Sequence, residues 1–260
     1  LFRPFRRRPL ERYGELAAAF VGNTWSQRLR QQLSRYAKDP VTLAYIEEAA
    51  REFQWSRHYQ ARPHLEEIYP GFFNLPVREQ VNLEAAVLWQ ASLWDRVEKV
   101  STMVEWGVTV FGDAAWRALL PQPEAYGGGL SHQRDLPGFY QCVAVNLNIT
   151  SLQMKDGLNQ RVFEVPATGA FLLTDHKEAL FEIFDPAEVI TYRTLEEARD
   201  KLTYYLGYPE TRRQVAIRAR ERIVTQHTYV HRVQTIVRVV QEAHGLKGRT
   251  GAVLSASRGG

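Results

Sequence analysis

The chain has 260 residues, 45% hydrophobic and 24% charged, with 33 Lys and Arg against 29 Asp and Glu for a net charge of +4. That is ordinary globular composition, enough for one large domain or two small ones. No apolar run approaches the ~18 residues needed to span a bilayer, no secretory signal peptide is legible, and the positive charge is too dilute for a dense nucleic-acid patch.

In chain order, the basic, proline-punctuated start L-F-R-P-F-R-R-R-P-L reads as part of a linker, residues 1–15, trailing from a preceding domain. The short apolar run L-A-A-A-F-V (16–21) is closed by Gly22-Asn23, the pattern of a buried strand and its turn. Thr24 or Ser26 is placed to cap a helix running to Tyr36. Asp39-Pro40 opens a helical insertion that extends to about residue 104, and Pro63, Pro70-Gly71 and Pro76 divide it into separate helices. Trp55, Trp89, Trp94 and Trp106 in or beside it read as core. Tyr59, Tyr69, Phe72 and Phe73 read either as core or as a face toward another domain or an acceptor.

The period then changes. G-V-T-V-F (107–111) is a β-branched run stopped by Gly112-Asp113, and Y-G-G-G-L (126–130) is a short strand or turn. A short helix over 135–140 precedes a strand over 142–149 that buries Cys142. A single cysteine makes no intrachain disulfide, and this points to a reducing cytoplasm. Further on the pattern predicts a helix from about Arg161, strands over 170–174 and 189–192, and helices over 177–184, 195–206, 209–227 and 229–244. The small, polar tail 245–260 is expected to be disordered. Nearly all-apolar strands alternating with helices predict an α/β fold: a doubly wound parallel sheet covered on both faces, with C-terminal helices. Ligands of such sheets sit beyond the carboxyl ends of the strands. That rule selects Gly22-Asn23, Gly112-Asp113, residues 148–150 and Thr174-Asp175.

On the same edge lies the most informative stretch, K-D-G-L-N-Q-R-V-F-E-V-P-A-T-G-A-F-L-L-T-D (155–175). A glycine-bearing loop that runs into a helix exposes backbone N–H groups and the positive end of the helix dipole, both of which favour phosphate. Gly157 permits close approach, Lys155 adds a full positive charge, and Glu164 can accept hydrogen bonds from ribose hydroxyls. Asp156 on the loop is free to face a sugar hydroxyl. Beside this stands the plainer reading, in which the loop is a turn, Asp156 a cap and Glu164 an exposed helix residue. His176 reads as a helix-start residue or a donor contact, and His132, ending the loop 127–132, as solvated or a donor contact.

From Ala19 to about Val233 the chain resembles the donor-binding C-terminal half of a GT-B-fold glycosyltransferase, and more narrowly the glycosyltransferases grouped with spore-maturation proteins. The resemblance is carried by F-V-G-N (20–23), V-F-G-D (110–113), Y-Q-C-V-A-V-N-L-N-I-T (140–150), G-L-N-Q-R-V-F-E-V-P-A-T-G-A-F-L-L-T-D (157–175) and T-Y-V-H-R (228–232). It implies that residues 16–244 form a Rossmann-like donor domain whose substrate is a nucleotide-diphospho-sugar, with no cofactor and no metal. It implies that Glu164 binds the donor ribose. Asp156 takes the first acidic position of the family's pair, where Glu is commoner, and meets the donor sugar as the catalytic carboxylate. Asn159, Arg161 and Gly157 lie near the donor pocket, Gly22 and Asn23 form the phosphate-side turn, and Lys155 is the basic residue for the diphosphate.

Such an enzyme closes on its substrates between two domains. The expected partners are therefore a nucleotide sugar, an unidentified glycosyl acceptor and an N-terminal acceptor domain, without which the chain transfers weakly or not at all. Two rival readings are a non-catalytic interaction module of the same fold and a basic helical nucleic-acid-binding protein built on the arginines from Arg212 to Arg222.

Overall fold

The computed structural model describes residues 13–56 and 58–245. Most of the expected linker, the Arg6–Arg8 cluster and the tail from Leu246 lie outside them. The described residues form a six-stranded sheet built from β1 (Leu16–Val21), β2 (Thr109–Phe111), β3 (Tyr126–Gly128), β4 (Val143–Asn148), β5 (Leu172–Asp175) and β6 (Ile190–Tyr192). Its order is β3-β2-β1-β4-β5-β6 and every pairing is parallel. The fold is thus a Rossmann-like α/β fold, and the strand order reverses between β1 and β4, where a ligand crevice opens.

Alternation along the strands divides the core into two layers. Ala18, Phe20, Val110, Val145, Leu147 and Leu173 face one layer. Ala19, Val21, Phe111, Val143 and Leu172 face the other. The first layer is closed by the end of α4 (Val77–Val104), by Ala198 and Leu202 of α8 (Leu195–Gly207), and by Val215 and Ala216 of α9 (Pro209–Gln226). The second is closed by α6 (Leu136–Phe139), by Val162 and Val165 of α7 (Arg161–Ala167), and by Ala219 and Ile223 on the other side of α9.

The helical insertion has a core of its own. α1 (Ser26–Leu33), α2 (Pro40–Trp55) and α3 (Arg62–Ile68) gather with α4 around Ile46, Phe53, Leu65, Phe72, Leu83 and Val87. Asp39 caps α2 by accepting from the Thr42 N–H at 3.0 Å, and Pro40 occupies its first turn, as the sequence predicts. α4 belongs to both cores. Leu83, Ala86, Val87 and Ala91 pack in the insertion, whereas Val100, Met103 and Val104 pack on the sheet. At 28 residues it is about 42 Å long, so its midpoint passes the carboxyl edge of the sheet.

Local expectations differ from the structure at four places. The N-cap of α1 is neither Thr24 nor Ser26 but Trp25, at φ 63°, with no capping side chain. Thr24 is turned inward, and its N–H and hydroxyl both go to the Asp113 carboxylate. The segment 177–184 makes only a 3₁₀ turn, Glu178–Glu182, with Leu180 buried inside it and Phe184 buried just beyond it. Cys142 is buried as expected, but in a turn just before β4. Trp55 is not core; it is 78% exposed at the end of α2.

Candidate functional site: the switch-point cavity

β1 and β4 end beside each other, and the loops that leave them diverge. Between these loops lies a cavity of about 370 Å³, lined at its floor by Gly22, Asn23 and Ile149. Two glycines let its first wall close: a Cβ on Gly112 would lie 2.1 Å from the Gly22 carbonyl oxygen, and one on Gly22 would lie 2.6 Å from the Phe20 ring. The Gly22 carbonyl accepts from the Trp116 indole at 2.6 Å. This shape belongs to the ends of β1 and β2 and is independent of any loop motif.

Charge enters the cavity from α4 and α7. Arg96 sits in the C-terminal half of α4, is 7% exposed, and donates to the Asn23 carbonyl at 2.7 Å. Burial, and after it the charge of Arg161, pulls its guanidinium down to about 10. The carboxylates of Asp95, Asp175 and Asp113 oppose both effects. Arg96 therefore remains a cation at neutral pH, with a second cation close enough to repel it. That second cation, Arg161, opens α7 and lines the same cavity.

Three buried polar atoms of the lining have no hydrogen-bond partner among the described residues: Trp25 Nε1, Ser151 Oγ and Arg161 Nε. Indole and guanidinium nitrogens can only donate, and a hydroxyl can. A buried donor left without an acceptor costs about 1–3 kcal/mol. Three residues that line one cavity thus carry such a donor, beside the Arg96–Arg161 pair of cations.

The structure separates the residues singled out from sequence. Gly22, Asn23, Asn159 and Arg161 come together in the cavity. Asn159 is a structural hub: its amide donates to Asn148 Oδ1 at 2.9 Å, and its own Oδ1 accepts the Arg161 N–H at 3.1 Å. The first-turn N–H groups of α7 are all used within the turn, by Asn159 and Gln160. The dipole argument from the glycine loop therefore gives way to side chains. Gly157 has no left-handed backbone, and a Cβ there would meet only Met154 at 3.5 Å, so nothing in the fold requires glycine.

Lys155 and Asp156 face away from this cavity. The Lys155 ammonium donates to the Phe53 and Ser56 carbonyls at 3.2 and 2.8 Å and lies 4.3 Å from the Phe53 ring centroid. Burial lowers its pKa, and Lys177 and Lys99 add to this against Asp95. Asp156 is exposed and accepts a hydrogen bond from the Tyr59 hydroxyl. Both side chains tie the loop to the helical insertion.

Glu164 is 9% exposed and pairs with His132, Oε1 to Nε2 at 2.8 Å. His132 and Gln160 line the switch-point cavity and also a second one of about 360 Å³, which Glu164 lines as well. Burial pushes Tyr140 beneath them upward; Arg161 opposes the shift and Glu164 adds to it. His176 lies elsewhere, at the ends of β5 and β6, bonded to Thr191 and Glu178. Of the arginine cluster, Arg212 is held by the Tyr205 carbonyl, and Arg222 by Glu188 and Asp185. A larger cavity of about 650 Å³ opens at the amino ends of β1 and β4, beside Cys142, the end of such a sheet that ligands do not use.

Three residues of the lining, Trp25, Ser151 and Arg96, escape a reading by motif. Trp25 and Ser151 each stand just past a stretch that the carboxyl-edge rule selects. Arg96 carries a subtler signal: with Ser92, Val100 and Met103 it occupies the buried helical repeat of α4, where a charge has no structural reason to be.

Fold and site together define a Rossmann-like domain with a switch-point cavity lined by two arginines. The sequence profile of the glycosyl transferase-like family matches residues 93–238, more than half of the chain, so the chain belongs to that family. No curated protein matches it. Among the described residues no helix is long and apolar enough to cross a membrane.

Proposed function

We propose that the chain binds a nucleotide-diphospho-sugar in the switch-point cavity and acts as the donor half of a metal-independent glycosyltransferase. The observation that carries this is the pair of cations, the buried Arg96 and Arg161, on one cavity whose lining residues Trp25, Ser151 and Arg161 each hold one donor atom, Nε1, Oγ and Nε, without a partner among the described residues. The diphosphate lies against Arg96 and Arg161, in the role first given to Lys155, and the ribose hydroxyls are accepted by Glu164. In transfer, the bond from the anomeric carbon to the diphosphate oxygen breaks and the diphosphate keeps the electron pair, stabilised by the two arginines. The acceptor oxygen bonds the anomeric carbon and gives its proton to a base on the acceptor side. Asp156 serves here as a loop anchor. A second, N-terminal domain presents the acceptor. Within the family, the motifs from 140 to 175 and at 228–232 support an alliance with the spore-maturation-like members, and the buried lone Cys142 suits a cytoplasmic setting.

Thermal-shift measurements with UDP-, GDP-, ADP- and dTDP-sugars test the reading. Ligand at a hundred times its dissociation constant stabilises by about 2.7 kcal/mol, a midpoint rise of several degrees for a chain of this size. Glu164→Ala should shrink that rise and Arg161→Ala cut it by about half or more. The reading fails if no nucleotide sugar moves the midpoint, or if both variants respond like the parent.

A further inference from the structure

The helical insertion meets the 155–156 loop through a cluster that has no part in the reading so far. The Phe53 ring, fully buried near the end of α2, packs against two basic groups. One is the Lys155 ammonium, 4.3 Å from the ring centroid and bonded to the Phe53 and Ser56 carbonyls. The other is the imidazole of His64, in the first turn of α3, edge-on to Phe53 at 6.1 Å between centroids. His58 stands edge-on to His64 in turn, at 5.6 Å. Beside them the Tyr59 hydroxyl donates to Asp156.

His64 is the least supported member of this cluster. Its Nε2 is buried and has no hydrogen-bond partner among the described residues. In a neutral imidazole that leaves one uncharged nitrogen unpaired. An imidazolium makes both nitrogens donors, and burying a charge without a partner costs far more than burying a neutral polar group. Burial and, after it, His58 lower the His64 pKa. Glu52 of α2 and Glu67 of α3, both exposed, raise it without cancelling the shift, and Lys155 lowers it further. A positive charge on His64 thus meets a cation on the Phe53 ring and a second histidine at its edge.

We propose that the His58–His64 pair makes the joint between the helical insertion and the 155–156 loop acid-sensitive: the joint is closed at neutral pH, and protonation of His64 releases Lys155 from the end of α2. A histidine whose folded pKa is lowered adds stability that is complete above its ordinary value, about 6.5, and is lost as pH falls from there through the folded value. The joint is therefore intact at about pH 7.5 and opens toward about pH 5. Met154 before the joint and Asn159 and Arg161 after it line the switch-point cavity, so acid loosens one wall of that cavity. The proposal stands whether or not a nucleotide sugar is the ligand.

NMR of the whole chain from about pH 7.5 to about pH 5 tests it, by the histidine ring Cε1–H signals and by hydrogen exchange of the Met154 and Gly157 amides. Those amides donate to the Ser151 and Met154 carbonyls within the loop. His64 should titrate below the ordinary histidine value. Protection of the two amides, corrected for the intrinsic pH dependence of exchange, should fall by up to about ten-fold for each unit of that lowering. His64→Gln, neutral across the range, should abolish the fall. His58→Gln, at an exposed position, should raise the His64 pKa and shrink the fall. The proposal is overturned if His64 titrates at or above its ordinary value, if protection is level across the range, or if the fall survives His64→Gln. Should His64→Gln not fold, an undiminished fall in His58→Gln overturns it instead.

Discussion

Two neighbouring parts of one loop face opposite ways. Lys155 and Asp156 are bonded to the end of α2 and to Tyr59, on the insertion side. Asn159, Arg161 and Glu164, a few residues later, face the cavities on the sheet side. In sequence they form one motif. In the structure the loop is a joint that positions cavity-lining residues on one side by anchoring charged residues on the other. A charge in a motif thus acquires its role from what the fold places beside it.

The sharpest test of that division is Arg161→Ala. A hydrogen bond to a charged group contributes about 1.5–3 kcal/mol, so affinity for a nucleoside diphosphate should fall about 10- to 150-fold. The thermal midpoint of the free protein should change little, because relief of the repulsion on the buried Arg96 offsets loss of the Arg161 hydrogen bond to Tyr140. Calorimetric titration beside a melting curve reads both. An unchanged affinity would remove the anion site from this cavity.

Asn159→Ala should act on the fold as well. It strands the buried Asn148 Oδ1 and releases the Arg161 N–H. Leaving a buried acceptor unsatisfied costs about 1–3 kcal/mol, a midpoint loss of roughly 2–4 °C per kcal/mol in a chain of this size. Binding should weaken too, since Arg161 loses its anchor. A variant that melts like the parent would show that the loop does not depend on this hub.

The four central strands were legible because β1, β2, β4 and β5 are largely apolar runs ended by Gly, Asn, Asp or Thr, and a doubly wound fold follows from alternation with helices. The carboxyl-edge rule found Gly22, Asn23, Gly112 and Asp113 for the same reason: position along a strand is local information. Arg96 was not legible as a cavity residue because only tertiary packing brings this part of α4 over the switch point. Lys155 was read toward phosphate because its sequence neighbours are loop residues; its carbonyl partners Phe53 and Ser56 lie about a hundred residues earlier. Trp55 failed for a related reason, since a helical repeat gives the period of burial but not where a helix runs out of neighbours.

On the anchoring side the effects should be smaller and of another kind. Lys155→Met keeps the half-buried stem and removes the cation from the last carbonyls of α2. A charge at a helix C-terminus contributes about 0.3–1 kcal/mol, so urea unfolding should register a loss of that order. The nucleoside diphosphate affinity should change by less than about two-fold. A ten-fold loss of affinity would place Lys155 on the ligand and merge the two sides of the loop.

Asp156→Asn should be the mildest change and the most discriminating for mechanism. The Asp156 carboxylate raises the pKa of Tyr59 by accepting its hydroxyl proton and, secondarily, by its charge. A tyrosine whose folded pKa is raised contributes stability below its unfolded pKa and loses it as pH climbs through the folded value. The contact therefore operates at neutral pH and fails only in alkali. Ultraviolet titration of the phenols should show Tyr59 return toward its ordinary range in the variant, with Tyr59→Phe identifying the signal. Nucleotide-sugar affinity should be unchanged within about two-fold, as for other exposed substitutions. If instead the variant binds nucleoside diphosphate normally but binds the nucleotide sugar ten-fold more weakly, Asp156 reaches the sugar during turnover. The loop would then have to leave Tyr59, and the anchoring side would become a catalytic one.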